Sequence, residues 1–363
     1  MRLFLLFLIT IALGFATAFC SDPVPPPELS CTLPSFGELQ RGDSLVVTDA
    51  EAPCTIEFRE VVRLRGPEGG PDPNVPVTLG PGGTYLTATY ARGEVAVWSE
   101  EGEFVRTVGY GEGSGPGEFE SVSSLLVDAD SVIHILPGHP YWHRYAWSGA
   151  FLETVRVPTG SSTTGIAMTG DGTLVAPALT NPEVPFLVWR RGGDSLEVVD
   201  SPQNITVDSP AFLRGSAEMG TWSLDFTQYM FHRHNAHDFE VDAHVVREAD
   251  WFPGPRDDTP ATVSPNFAVD DRGMLWTLVS VPAPDAPAGP RPSAGSVEEL
   301  RAVASRYRNT VIEVLTVDGR LLASRTYEDL RTVPRPITAE RWYLVDNDPF
   351  PSIVIFEPGL LER

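Results

Sequence analysis

An internal repeat is the strongest constraint on what this chain can fold into. Six times, an apolar run ends in a large residue, a turn residue follows about four positions later, and the next segment is again apolar. The copies are 95–98 (VAVW), 142–145 (WHRY), 186–189 (FLVW), 231–234 (FHRH), 312–315 (IEVL) and 353–356 (IVIF). They are followed by Gly102, Gly149, Gly193, Asp238, Gly319 and, one residue early, Gly359. Copies spaced by roughly 40–50 residues mark a propeller or a solenoid, in which each unit buries its faces only against its neighbours.

The repeat predicts an all-β fold: a six-bladed β-propeller of four-stranded antiparallel blades. Predicted strands begin near Val77 and continue at 85–89, 94–98 and 103–108 for blade one. Blade two takes 124–127, 132–136, 142–145 and 150–157, and blade three 165–168, 173–177, 186–189 and 195–199. Blade four shows only its last three strands, at 222–226, 229–234 and 239–247. Blade five takes 267–269, 274–279, 310–316 and 320–327. Blade six has 337–339, 341–345 and 352–356 and lacks an outer strand. The alternating run 55–65 precedes blade one without a partner of its own and reads as a strand. Placing it as the missing strand of blade six closes the ring and removes two exposed sheet edges. A β-sandwich is the competing fold, but six units and one orphan strand suit a ring better.

Composition agrees. Hydrophobic content is 42%, and the 32 glycines and 34 prolines concentrate between the apolar runs, as many short strands joined by turns require. Net charge is −23, and all 26 basic residues are arginine. Such a surface repels phosphate backbones, which argues against nucleic acid as a partner.

Residues 1–19 read as an export signal: Arg2, then an apolar stretch from Leu3 to Gly14 too short to span a bilayer. Two cleavage sites compete, an A-x-A site at Ala16–Ala18 and a lipobox-like Thr17-Ala18-Phe19-Cys20. Lipidation of Cys20 leaves Cys31 and Cys54 as an even pair for a disulfide in an oxidising compartment. Residues 20–54 are then a tether that begins with the stiff Pro-rich run 23–27, and 55–363 is the propeller. The expected location is the periplasm, the outer membrane or the cell surface, with membrane contact through a lipid anchor only.

The segment Gly111-Glu-Gly-Ser-Gly-Pro-Gly-Glu-Phe119 resembles the G-x-G-P-G-E-F inter-blade segment of bacterial exported six-bladed propellers of the NHL-like kind. The resemblance covers about residues 55–363. It implies the propeller fold and an extracytoplasmic setting, with Phe119 packed between blades, and it implies no activity.

In up-and-down blades the loops joining strands two and three lie at the same end as the crossings between blades, so the longest loops here share one face. On that face His139 and Tyr141 are candidate binding residues, whereas the repeat places Trp142 in the core. Insertion 282–309 in blade five combines a Pro-rich run with a capping box, Ser296 to Glu299, opening a helix to about Arg306. Arg301 and Arg306 on it suit an anion or an acidic partner. Asp346 and Asp348 offer oxygens for calcium. His232 and His234, two apart on a strand, share a face and are candidate zinc ligands, although their repeat positions favour packed, hydrogen-bonded roles. Arg144 and Arg233 stand where other copies carry valine or isoleucine, and each must find a carboxylate or carbonyl partner or point to the edge. No nucleophile elbow, metalloprotease helix, phosphate loop or C-x-x-C pair occurs.

Two functions lead, ahead of a structural envelope component with no small ligand. The first is a binding or scaffolding propeller that presents its loop-rich face to a protein, peptide or glycan. The second is a metal-dependent enzyme of lactonase or lyase type with its site at the central channel.

Overall fold

Strands form where the apolar runs alternate, and turns form at glycine and aspartate. The computed structural model describes residues 31–33, 37–90, 93–137, 141–156, 167–168, 173–177, 186–190, 197–199, 212–216, 220–225, 228–235, 240–252, 264–283, 285, 306–329 and 332–363. The export signal, Cys20, the Pro-rich run, His139, His237, Arg301 and most of the helix expected from Ser296 lie outside those residues. Among the described residues no helix is long and apolar enough to cross a membrane.

Two strands precede the first meander: β1 (Ser44–Val47) and β2 (Cys54–Arg65). The first meander is β3 (Pro73–Leu79), β4 (Tyr85–Thr89), β5 (Val95–Trp98) and β6 (Phe104–Val108). The second is β7 (Ser124–Val127), β8 (Ile133–Leu136), β9 (Tyr141–Tyr145) and β10 (Phe151–Arg156). The third is β11 (Ala167–Met168), β12 (Leu174–Pro177), β13 (Phe186–Trp189) and β14 (Glu197–Val199). The fourth is β15 (Phe212–Ser216), β16 (Gly220–Asp225), β17 (Met230–His234) and β18 (Val241–Arg247). The fifth is β19 (Ser264–Val269), β20 (Met274–Pro282), β21 (Arg308–Thr316) and β22 (Leu321–Tyr327). The last is β23 (Arg335–Pro336), β24 (Trp342–Asp346) and β25 (Ser352–Glu362). Every meander pairs antiparallel in chain order, and the fold is a β-propeller.

The closing strand is where the repeat predicts it. β2 lies antiparallel to β25 along almost its whole length, from Cys54 opposite Glu362 to Arg65 opposite Ser352. It completes the last meander, and a single parallel pairing, Cys54 with Ala323 of β22, fastens it to the fifth. Cys54 is bonded to Cys31, with Cα atoms 6.1 Å apart.

Three expectations are corrected. The first strand of the fourth meander, absent from the sequence reading, is β15. Its Phe-Leu-Arg-Gly-Ser run carries too little alternation to be seen. The tether does not extend to residue 54: Ser44–Val47 adds to the fourth meander as a fifth strand, parallel to β18. The insertion is narrower than 282–309, because β20 and β21 stay paired out to Pro282 and Arg308. Only the end of the expected helix is described, at Arg306 and Tyr307, and it runs directly into β21.

The cores lie between neighbouring meanders. Val97 and Val108 of the first pack with Ile133, Ile135 and Tyr145 of the second, and Phe119 of the crossing is buried among them. Leu64 of β2 and Ile353 of β25 pack with Val77 and Trp98 across the closure. Trp142 packs on Trp189 with ring centres 5.4 Å apart. The fourth and fifth meanders share a larger core, Trp222, Phe231 and Val245 against Phe267, Leu275 and Leu315.

That larger core holds a buried ion pair. Both Glu313 oxygens accept from Arg247, Oε2 from Nε at 2.9 Å and Oε1 from Nη2 at 2.8 Å. Tyr229 donates to Glu313 at 3.1 Å, and its hydroxyl shares a 2.8 Å bond with Thr277. Arg247 also donates to Asp49, which pins the segment after β1. Burial opposes the arginine charge, but its carboxylate partners outweigh that and hold its pKa above the ordinary value.

Two measurements follow from these contacts. Ile56→Ala and Leu64→Ala each remove a fully buried side chain of the closing strand; each is expected to lower urea-unfolding stability by about 2–5 kcal/mol. Glu313→Ala leaves Arg247 buried without its bidentate partner and is expected to cost about 3–5 kcal/mol in the same assay.

Candidate functional site

The large residue that ends a repeat copy is buried in five of the six copies and partly buried at Phe356, and that fixes the role of His234. Trp98 Nε1 donates to Thr87 Oγ1 at 3.0 Å. His234 stands at the same position in the fourth meander, and its Nε2 meets Ser223 Oγ at 2.7 Å. Ser223 is the register equivalent of Thr87, two residues on from the partner directly opposite the ring. His234 is 2% exposed and does the work of the tryptophan. His232 stands opposite His244 on β18, with ring centres 6.2 Å apart. Among the described residues no group of three or more His, Cys, Asp or Glu side chains is placed to hold a metal.

The two out-of-pattern arginines find the partners their chemistry requires. Arg233 donates to Asp242 at 2.7 Å and to the Leu39 carbonyl at 2.8 Å. Arg144 pairs with Glu153 and lies 4.6 Å over the Trp189 ring. Asp346, a predicted calcium ligand, accepts from Arg63 of the closing strand at 2.6 Å. That guanidinium bond holds its carboxyl below the usual range. Asp346 Oδ1 also takes the Asp348 amide at 3.1 Å, so the loop is built around an arginine. Arg306 is exposed.

A cleft of about 440 Å³ lies beside the second meander. One wall is the crossing from β6 to β7, residues 113–116 and 118–120; the other is Pro137, Tyr141, His143 and Thr154. The crossing needs its glycines: Gly109, Gly111 and Gly117 have φ of 119°, 101° and 79°, where other residues are strained. The Gly117 carbonyl accepts the Tyr145 hydroxyl at 2.6 Å, which locks the crossing to β9. Glu118 folds back so that Oε2 accepts the Gly115 amide at 2.9 Å.

The floor is rigid and uncharged. His143 stacks on Phe119, with ring centres 6.2 Å apart and 29° between planes, and its Nδ1 meets Thr154 Oγ1 at 3.0 Å. Burial lowers its pKa. Tyr141 is 49% exposed at the lip. An aromatic lip, two prolines, a neutral imidazole and two glutamates suit a ligand with an apolar or ring-shaped body and polar edges.

Two further exposed aromatics lie in the corresponding connections of other meanders. Tyr90, 54% exposed, follows β4, and Phe350, 65% exposed, lies between β24 and β25. Together with Tyr141 they mark the loop between strands two and three in three consecutive meanders. Tyr141, singled out in the sequence as a candidate binding residue, lines the cleft. His143, Glu118, Glu120 and Thr154 were not singled out, because the Gly-rich segment reads as a linker and its return to the flank of β9 and β10 is a tertiary event.

No protein-family model and no curated protein matches this sequence. Solved structures do. A Bacteroides fragilis protein provisionally designated as exported superposes with TM-score 0.54 at 13% identity, over 88% of this chain and 99% of its own. A DUF4221-family protein from Bacteroides vulgatus gives TM-score 0.55 at 8% identity, over 85% of this chain and 99% of its own. At these identities the likeness is one of fold.

The buried histidines set a pH dependence. His134, packed on Trp142 at 5.0 Å, and His143 both have pKa values lowered by burial. Below about 6.5 the unfolded chain therefore takes up protons that the folded chain refuses. Stability is full above that pH and falls as pH drops. Thermal unfolding is expected to show a lower Tm at pH 5 than at pH 7.5, with a smaller fall in a His143→Gln variant.

Proposed function

We propose that this chain is an exported six-bladed β-propeller of the NHL-like kind that binds a protein, peptide or glycan of the cell envelope. Binding takes place at the end of the ring that carries the loops between strands two and three, with the cleft under Tyr141 as its anchor. One observation carries the reading: three half-exposed aromatics, Tyr90, Tyr141 and Phe350, lie in or at the edge of the connection between strands two and three in neighbouring blades, and one of them borders the cleft. Aromatic side chains offer contact area at low entropic cost and dominate binding hot spots. Loops on a rigid scaffold are where such residues act. Residues 1–19 direct export, and a lipid on Cys20 holds the domain at the periplasmic or outer-membrane surface through a tether that ends before β1.

Two tests separate the parts of this reading. On arrays of envelope peptides and glycans, the wild-type chain is expected to retain a defined ligand class, and Tyr141→Ala to weaken it at least tenfold without lowering Tm. Equal binding by Tyr141→Ala and Phe350→Ala would overturn the assignment of the face. Cys20→Ala is expected to move the protein from the membrane to the soluble fraction; unchanged partition would remove the lipid anchor.

A further inference from the structure

The repeat supplies an internal control for one pair of histidines. On β9 and β10 the facing residues are His143 and Thr154, and the threonine hydroxyl satisfies the His143 Nδ1 at 3.0 Å. On β17 and β18 the same two positions are His232 and His244. Here the His232 Nδ1 is buried and has no hydrogen-bond partner. A buried polar atom left unsatisfied in a native fold calls for an explanation, and an absent ion is one of the few. The residue opposite is a second imidazole, where the equivalent pair has a hydroxyl.

The geometry suits a shared ion. The ring centres are 6.2 Å apart with 62° between the planes. Two imidazoles bound to one metal at about 2.1 Å hold their centres roughly 5–6.5 Å apart. Both rings sit on adjacent paired strands, directly in register, which fixes their separation without help from a loop. His234 takes no part, since its Nε2 is engaged with Ser223.

We propose that His232 and His244 together bind one divalent transition-metal ion of the copper–zinc end of the series, with the remaining positions open to water or a small ligand. Imidazole selects these metals, and copper binds more tightly than zinc at a nitrogen site. The pair is set apart from the aromatic cleft on the second meander and does not depend on it.

The test uses the full exported chain, dialysed against a chelator and titrated with Zn²⁺ by calorimetry. One saturable equivalent is expected. His244→Gln and His232→Gln are each expected to weaken it at least tenfold, with His244→Gln retaining the wild-type Tm in metal-free buffer. Cu²⁺ loaded at one equivalent is expected to show hyperfine coupling to two nitrogens by electron paramagnetic resonance, reduced to one in His244→Gln. No saturable Zn²⁺ binding up to about 1 mM, or binding unchanged in His244→Gln, would overturn the proposal.

Discussion

The pairing of β2 with β25 is the contact on which the rest of the structure depends. Strands of a propeller blade are short, and each meander exposes two faces that water would otherwise wet. A ring solves both problems only if it closes. Eleven register pairs join the two strands, interrupted by a single bulge between Glu60 and Val62. They place Leu64 against Trp98 and Ile353 in the core between the last meander and the first. Without them that interface would open, and both flanking sheets would present edges. The Cys31–Cys54 bond holds the start of this strand, and β1 with Asp49 ties the chain just upstream to the fourth and fifth meanders.

Hydrophobic burial shared pairwise between meanders has a consequence for composition. Each core is assembled from two sheets, so every sheet has apolar residues on both faces, as the uniformly buried Tyr85–Thr89 and Val95–Trp98 show. Polar residues on those faces must find partners inside. Glu313 finds Arg247, Arg233 finds Asp242, and His234 finds Ser223. The repeat tolerates chemical variation wherever the replacement can make the same bond as the residue it replaces.

That rule also explains what was legible. The strand ends at Trp98, Tyr145 and Trp189 stand out because large residues recur at one spacing, and the closing strand stands out because its alternation has no local partner. The pairing role of His234 was readable from alignment with Trp98. The partner of His232 was not: the i, i+2 rule pointed along the strand to His234, whereas the register across the hairpin brings up His244. Sequence spacing reports one strand's faces and says little about which residue of the next strand arrives opposite. The cleft was hidden for a related reason. Its two walls are separated in sequence only by β7 and β8, but one is a glycine-rich crossing whose path depends on left-handed backbone at Gly111 and Gly117 and on a hydroxyl from Tyr145.

The closure also sets an order of events. Cys54–Arg65 is made before any meander, and its partner Ser352–Glu362 is made after all of them. During synthesis the first strand of the ring therefore waits, unpaired, for nearly the whole domain to follow. Contacts between segments so distant in sequence form slowly, because a long loop must be closed before they reward it. An apolar strand in that state is a template for wrong pairing with other chains. The strand carries exposed charges at Glu57, Arg59 and Glu60, of the kind that disfavours such pairing.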